Sequence, residues 1–282
     1  MKTGMDGLKE RRLALLAALC LLAPVTARAA DLAAVVSSNS GPYAQAYAAF
    51  RAALKHPMDF YDASKPGFTP PEDARYAVAF GARAVAADYP PGTHGVYALS
   101  PVANSARGWH QISMVPSPEA AIRIYKALQP DLRRLAVFWS AYPGEEYLEA
   151  LRQAGEVAGI DIISARLKSP DSFPDRLRRL LGKMDAFWLM PDPALINTSS
   201  LLVLASFSCA NSVPFYAPTP ALVGNGASAS FAPDFSQAGA AAAAAVETLY
   251  TGGKVPRVVF VEEPQLKLNE ELITKCRWPL KK

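Results

Sequence analysis

From residue 32 onward, short apolar runs alternate with stretches whose apolar residues recur at helical spacing. LAAVVS (32–37) is β-rich, and PYAQAYAAFRAAL (42–54) follows it with a helical period. MDFYD (58–62), YAVAF (76–80), GVYAL (95–99) and WHQISM (109–114) read as further strands, with GARAVAADY continuing from the third of these five runs. Such β-α-β alternation predicts a mostly parallel sheet. The pattern restarts at Pro116. SPEAAIRIYKAL (117–128) is a predicted helix with Ser117 as N-cap, Pro118 in the first turn and Glu119 near the positive end of the dipole. RLAVFW (134–139), a helix over 144–157, IDIISARL (160–167), the amphipathic SPDSFPDRLRRLLGK (169–183) and DAFWLM (185–190) come next. A helix over 195–210 and strands VPFYA (213–217) and ASASFA (227–232) complete a second set.

Two βα sets of roughly domain size are thus predicted. The tail adds an alanine-rich helix (236–253), the runs VVFVEEP and LKL, and a last helix that Asn269 can cap, with Glu270 and Glu271 in its first turn. The alanine run reads as a packing helix. The run Phe187 to Met190 ends on a carboxylate between two prolines, Pro191-Asp192-Pro193. Asp followed by Pro suits an N-cap, and a capping oxygen leaves the other free for a ligand.

The first thirty residues change the picture of charge. Lys9, Arg11 and Arg12 precede the apolar run LALLAALCLLAPV (13–25), and Ala27-Arg28-Ala29 follows. This is the order of a secretory signal peptide, and the run is well short of the ~20 residues of a membrane span. Cys20 leaves with the signal. Residues 1–29 carry five basic and two acidic groups, so their removal lowers the net charge from +4 to +1. A near-neutral mature chain argues against a nucleic-acid partner. Cys209 and Cys276 remain; in an oxidising compartment two cysteines suit a disulfide or two separate buried thiols.

Catalytic and metal motifs do not appear. There is no phosphate loop, no G-x-G-x-x-G after the first strand and no G-x-S-x-G. His56, His94 and His110 lack ligand spacing, so no metal or cofactor is expected. Asn197-Thr198-Ser199 matches a glycosylation sequon and is read as coincidence. An exported α/β chain of this kind points to binding. Ligands of open parallel sheets sit at the carboxyl ends of the strands, and two facing lobes form a cleft that a hinge can close.

PSPEAAIRIYKALQPDLRRLAVFW, EALRQAGEVAGIDIISARLKSPDSFPDRLRRLLGKMDAFWLMPDP, VPFYAPT and FAPDFSQAGAAAAAAVETLYTGG, in this order and spacing, resemble the solute-binding proteins of ABC importers. The nearest branch includes importers of aromatic and other amino acids. The likeness runs from about Ile112 to Cys276; AVVSSNSGPYAQAYAAFRAAL and VAFGARAVA look like first and third βα units. Between Asp62 and Tyr76 a Pro/Gly-rich stub stands where a full helix is expected, so the first lobe looks trimmed. The resemblance implies the type I periplasmic-binding fold: α/β, two Rossmann-like lobes with parallel sheets and a ligand cleft. Lobe one would be 31–115 plus 235–262, and lobe two 116–234 plus 263–282, with crossings near 113–117, 232–236 and 261–265.

Strand ends on the cleft then supply the expected ligand contacts. These are Ser38, Ser40 and Tyr43 after the first strand, Gly81 after the third, and Ser100 after the fourth. In the second set they are Trp139, Tyr142, Asp192, Thr219 and Asp234. Asp192 would pair with a ligand ammonium, and an aromatic at the lip would cover a ring. Trp188, in mid-strand, reads as core. The family topology also puts Cys209 and Cys276 on the same lobe, which favours their pairing. The implied protein is a periplasmic, non-enzymatic monomer that carries a small polar or amino-acid-like solute to an inner-membrane ABC permease. A sensor or adaptor that binds a protein partner is the alternative, favoured by the trimmed lobe.

Overall fold

The computed structural model describes residues 30–101 and 108–281. The signal segment predicted over 1–29 lies outside them. Two six-stranded sheets organise the chain. The first contains β1 (Leu32–Val36), β2 (Asp59–Asp62), β3 (Tyr76–Phe80), β4 (His94–Ala98), β5 (His110–Ile112) and β11 (Val258–Val259), in the order 11-5-4-3-1-2, all parallel. The second contains β6 (Arg134–Trp139), β7 (Asp161–Arg166), β8 (Ala186–Leu189), β9 (Phe215–Tyr216), β10 (Ala229–Ala232) and β12 (Gln265–Leu268). Its order is 12-10-9-8-6-7, and only β12 runs antiparallel. Both sheets reverse strand order beside their first strand, and ligands bind at such switch points.

The central strands are buried along their length because helices cover both faces. β1 and β3 are buried at all five positions. Such strands read as continuous apolar runs rather than alternating ones. Against the first sheet pack α1 (Gly41–Ala53) and α7 (Phe235–Tyr250), which lie tightly on each other. Gly239 makes this possible: a Cβ there would stand 2.0 Å from the Ala46 carbonyl oxygen. The alanine-rich face of α7 (Ala238, Ala242, Ala243, Ala245) is buried in this contact. The second sheet is flanked by α3 (Pro118–Leu128), α4 (Glu145–Val157), α5 (Phe173–Leu180) and α6 (Thr198–Asn211). Short α2 (Ala82–Val85) follows β3, and α8 (Glu270–Lys275) ends the fold with Asn269 accepting from the Leu272 N–H.

Residues 63–75 form turns and extended chain rather than a helix. The sheet face beside them is closed by aromatic packing. Tyr89 and Trp109 meet at 4.7 Å between ring centroids, and Tyr61 and Phe68 at 6.3 Å. The Trp109 indole N–H donates to the Thr93 carbonyl at 3.1 Å, and the Tyr89 hydroxyl to the Ala84 carbonyl at 2.9 Å. Gly95 admits the indole, since a Cβ there would lie 1.9 Å from Trp109.

Among the described residues the chain passes between the sheets three times: after β5, between β10 and α7, and between β11 and β12. Cys209 on α6 and Cys276 after α8 are joined in a disulfide that ties the C-terminus to the second sheet's flank.

Candidate functional site

A cavity of about 160 Å³ lies where the C-terminal ends of both sheets meet. Pro42 and Tyr43, in the first turn of α1, and Leu99, Ser100 and Pro101, after β4, supply one wall. Tyr142, Pro191, Pro193 and Thr219 supply the other, from the loops after β6, β8 and β9. Met114 and Phe235 enter from two of the three passages between the sheets. Among the ten residues predicted from strand ends, Tyr43, Ser100, Tyr142 and Thr219 line this cavity.

The other six stand elsewhere, each for a visible reason. Gly81 lies beneath the wall at φ +94°, where an added Cβ would meet Tyr43 Cε1 at 2.4 Å and Ser37 Oγ at 2.5 Å. Only glycine lets the end of β3 run so close under the tyrosine. Ser37 in turn accepts the Ala84 N–H at 3.1 Å, binding the end of β1 to α2. Ser38 and Ser40 share a hydrogen bond of 3.1 Å at the entry to α1, outside the cavity lining. Trp139 is 2% exposed, its indole N–H donating to Ser164 Oγ at 2.9 Å and the Arg166 guanidinium lying 5.0 Å above its ring. It is core and not a lip, because β6 is covered on both faces. Asp234 caps α7, accepting the Gln237 N–H at 2.7 Å, while the Gln237 side chain returns a bond to the Asp234 N–H. The cap places the next residue, Phe235, in the wall.

Asp192 is the main departure from expectation. Its carboxylate is 2% exposed and accepts three backbone N–H groups: Ala141 at 2.7 Å, Tyr142 at 3.0 Å and Ala194 at 3.0 Å. Both oxygens are engaged within the fold, and the carboxylate is not part of the cavity lining. Nor does it cap α6: that helix starts later, at Thr198, and Asn197 caps it by accepting the Ser200 N–H at 2.8 Å. The sequon asparagine is thereby employed in the fold. Asp192 instead joins the loop after β8 to the loop after β6, and so sets where Tyr142 stands. A second carboxylate does the same at the opposite strand ends. Asp185, just before β8, accepts the N–H groups of Arg133 and Arg134 at 3.0 and 2.8 Å and the Arg134 guanidinium at 2.6 Å. Burial raises the Asp185 pKa, but the Arg134 fork and the two N–H bonds outweigh it and hold the carboxyl below its ordinary value. β8 is thus fixed to β6 by a carboxylate at each end.

Tyr142 links this clamp to the hinge. Its hydroxyl accepts the Met114 N–H at 3.0 Å, in the first passage between the sheets. Burial pushes its pKa up, so the hydroxyl stays protonated. Leu99, on the facing wall, holds φ at +58°, a left-handed conformation that a leucine adopts only under constraint from its surroundings. Among the described residues no three His, Cys, Asp or Glu side chains form a metal-binding group.

Residues 113–276 match the family model described as ABC transporter substrate binding protein. The chain belongs to this family. The substrate-binding protein also resembles solved structures across most of its length. The ligand-free, open substrate-binding protein with adhesive properties from Clostridium difficile is 13% identical, with a TM-score of 0.63 and 88% and 94% of the two chains covered. The ABC domain from Streptococcus pneumonia in complex with L-Trp is 16% identical, at TM-score 0.60 with 89% and 95% covered. A conserved domain protein from Vibrio cholerae is 15% identical, at TM-score 0.63 with 90% and 97% covered. At such identities the likeness speaks for the fold, which is the type I periplasmic-binding fold. A search of curated proteins returned no match. Members of the family bind a substrate for a transporter and as a rule work outside the cytoplasm. Among the described residues no helix is long and apolar enough to cross a membrane.

Proposed function

We propose that this substrate-binding protein captures a small solute in the cavity between two lobes and delivers it to an ABC permease in the inner membrane. It does so in the periplasm as a monomer without catalytic chemistry, after loss of residues 1–29 as a signal peptide. The lobes are 31–115 plus 235–262 and 116–234 plus 263–282, a division supported by which sheet each strand joins. One observation carries the reading. The cavity takes its walls from the strand ends of both sheets and from two of the passages joining them. Rotation of one lobe against the other would therefore reshape the cavity, coupling occupancy to the conformation a permease reads. Tyr43, Ser100, Tyr142 and Thr219 are the contacts proposed for the solute. A thermal-shift screen of metabolites tests this, because a ligand at a hundred times its dissociation constant adds ~2.7 kcal/mol. A stabilising compound whose affinity falls in a Tyr43→Ala variant supports capture in this cavity. A screen in which nothing stabilises the protein overturns it.

A sensor or adaptor role is the second reading, favoured by one feature. A groove of about 1350 Å³ runs along the trimmed lobe, past Phe68, Thr69, Glu72, Arg83 and Pro90. Co-purification with a receptor or kinase ectodomain, in place of a permease, would favour it.

A further inference from the structure

We infer that the solute is a neutral molecule with a single ring, and neither a zwitterionic amino acid nor a sugar. The inference rests on solute capture in the cavity proposed above and names the class it takes. Size in this conformation gives the first indication. The cavity is about 160 Å³, and an apolar cavity of about 150 Å³ is filled by benzene.

Charge gives the second. An amino acid needs a partner for each pole, because a charge taken out of water without one is strongly disfavoured. Two carboxylates, Asp192 and Asp234, adjoin residues that line the cavity, and neither lines it. The Asp192 oxygens accept the Ala141, Tyr142 and Ala194 N–H groups, and at 2% exposure the carboxylate is turned into the fold and away from the lining; Asp234 is engaged in capping α7 through the Gln237 N–H. The anionic pole is served by few donors. In an α/β fold, N–H groups at strand ends and helix starts are the usual holders of anions. Here Pro42 stands in the first turn of α1, Pro101 follows β4, and Pro191 and Pro193 follow β8. Proline has no N–H to give. Among the described residues no Lys, Arg or His lines the cavity.

Shape and polarity give the third. Tyr43, Phe235, Leu99 and Met114 join the four proline faces in a wall made chiefly of carbon. Four hydroxyl residues stand in the lining, Tyr43 and Ser100 on one wall and Tyr142 and Thr219 on the other, and the Tyr142 hydroxyl already accepts the Met114 N–H. So few polar groups in a wall made chiefly of carbon suit a ring with one or two polar substituents, whereas a sugar carries more hydroxyls than they can satisfy. The constrained Leu99 backbone in the same wall indicates that the surface is built and held.

Matched ligands test the inference by isothermal titration calorimetry on the purified protein. p-Cresol is compared with L-tyrosine and benzyl alcohol with L-phenylalanine, with D-glucose alongside. At least one neutral ring is expected to bind at least about tenfold more tightly than its amino-acid counterpart, with glucose silent. Tyr43→Ala and, independently, Thr219→Val should each weaken the ring several-fold; Thr219→Val keeps the side-chain shape should the alanine variant fold poorly. Equal or tighter binding of either amino acid, binding of glucose, or no saturable binding of either neutral ring would overturn the neutral class. An amino acid or sugar that binds and is weakened by the same variants would leave solute capture standing and sink only this assignment. A metabolite screen with no stabilising compound would sink capture itself.

Discussion

Replacing Asp192 by alanine removes the acceptor for three N–H groups, and the three losses are unequal. Ala141 and Ala194 are exposed, so water can take their N–H groups at modest cost. Tyr142 is buried, and its N–H loses a 3.0 Å bond to a charged acceptor with no water to replace it. Hydrogen bonds to charged groups contribute roughly 1.5–3 kcal/mol, and neutral ones about 1. The alanine variant should therefore lose about 3 kcal/mol or somewhat more. At roughly 2–4 °C per kcal/mol for a chain of this size, the melting temperature should fall by about 6–12 °C. Asp192→Asn keeps one oxygen acceptor and turns an amide NH₂ toward at least one donor, so it should lose about 1–2 kcal/mol. Calorimetric melts of the three proteins read these values. A carboxylate serving a ligand would behave in the opposite way: the asparagine variant would keep its melting temperature and lose solute affinity. An alanine variant melting within about 2 °C of the parent would refute the clamp.

Four further outcomes follow from the structure. Gly81→Ala should be destabilised by about 1–3 kcal/mol and should weaken solute binding, because its Cβ drives into Tyr43 and Ser37 at a positive φ; an unchanged melt and affinity would contradict the close contact. Breaking the Cys209–Cys276 bond, which spans a sequence separation of 67, should cost about 4 kcal/mol on chain-entropy grounds; alkylation of the unfolded, unreduced protein should label neither thiol. The depressed Asp185 pKa contributes stability that is fully present above the ordinary carboxylate range and is lost as pH falls through the folded value. Asp185→Asn should therefore flatten the acid limb of a melting-temperature profile while lowering it at neutral pH. Protein recovered from the periplasm should begin at Ala30 or Asp31 by mass spectrometry; a chain still starting at Met1 would refute export by cleavage.

The strands and helices were legible because their physics is local. Apolar runs bounded by Pro, Gly and Asp put β3, α3 and β6 within a residue of their observed limits. Faces were less legible than limits. RLAVFW is buried at five of its six positions, so no alternation marks which side of Trp139 meets solvent, and the residue passed for a cleft aromatic. The start of α6 was misread for a different reason. Asp192-Pro193 and Asn197 are both sound caps, and the choice is made by loops about 50 residues upstream that supply donors to the aspartate. No local signal carries that information. The place of Tyr43, Ser100, Tyr142 and Thr219 in the cavity lining could be read from position alone, since a residue after a strand of an open sheet reaches the crevice whatever its chemistry. The prolines flanking Asp192 were in plain view as stiffeners of a carboxylate, yet they, and not the acid, form the wall.

That reversal bears on how the cavity can stay neutral while its edges remain fixed. A loop-built wall needs strong bonds to hold its shape, and bonds to a carboxylate are about twice as strong as neutral ones. The protein places its charge one layer behind the cavity. Asp192 fixes the loops after β6 and β8, and Asp185 with Arg134 fixes the starts of the same two strands. The prolines on either side of Asp192 then face the cavity with backbone already restricted in φ, so little conformational entropy would be lost on filling it. If this division of labour is correct, the Asp192→Asn variant should weaken a neutral ring only as far as the wall loosens. Calorimetry should then show the affinity of p-cresol falling in proportion to the loss of melting temperature across Asp192→Asn, Asp192→Ala and Gly81→Ala. An affinity that collapses in Asp192→Asn while the melt is unchanged would mean that the charge itself is felt by the solute.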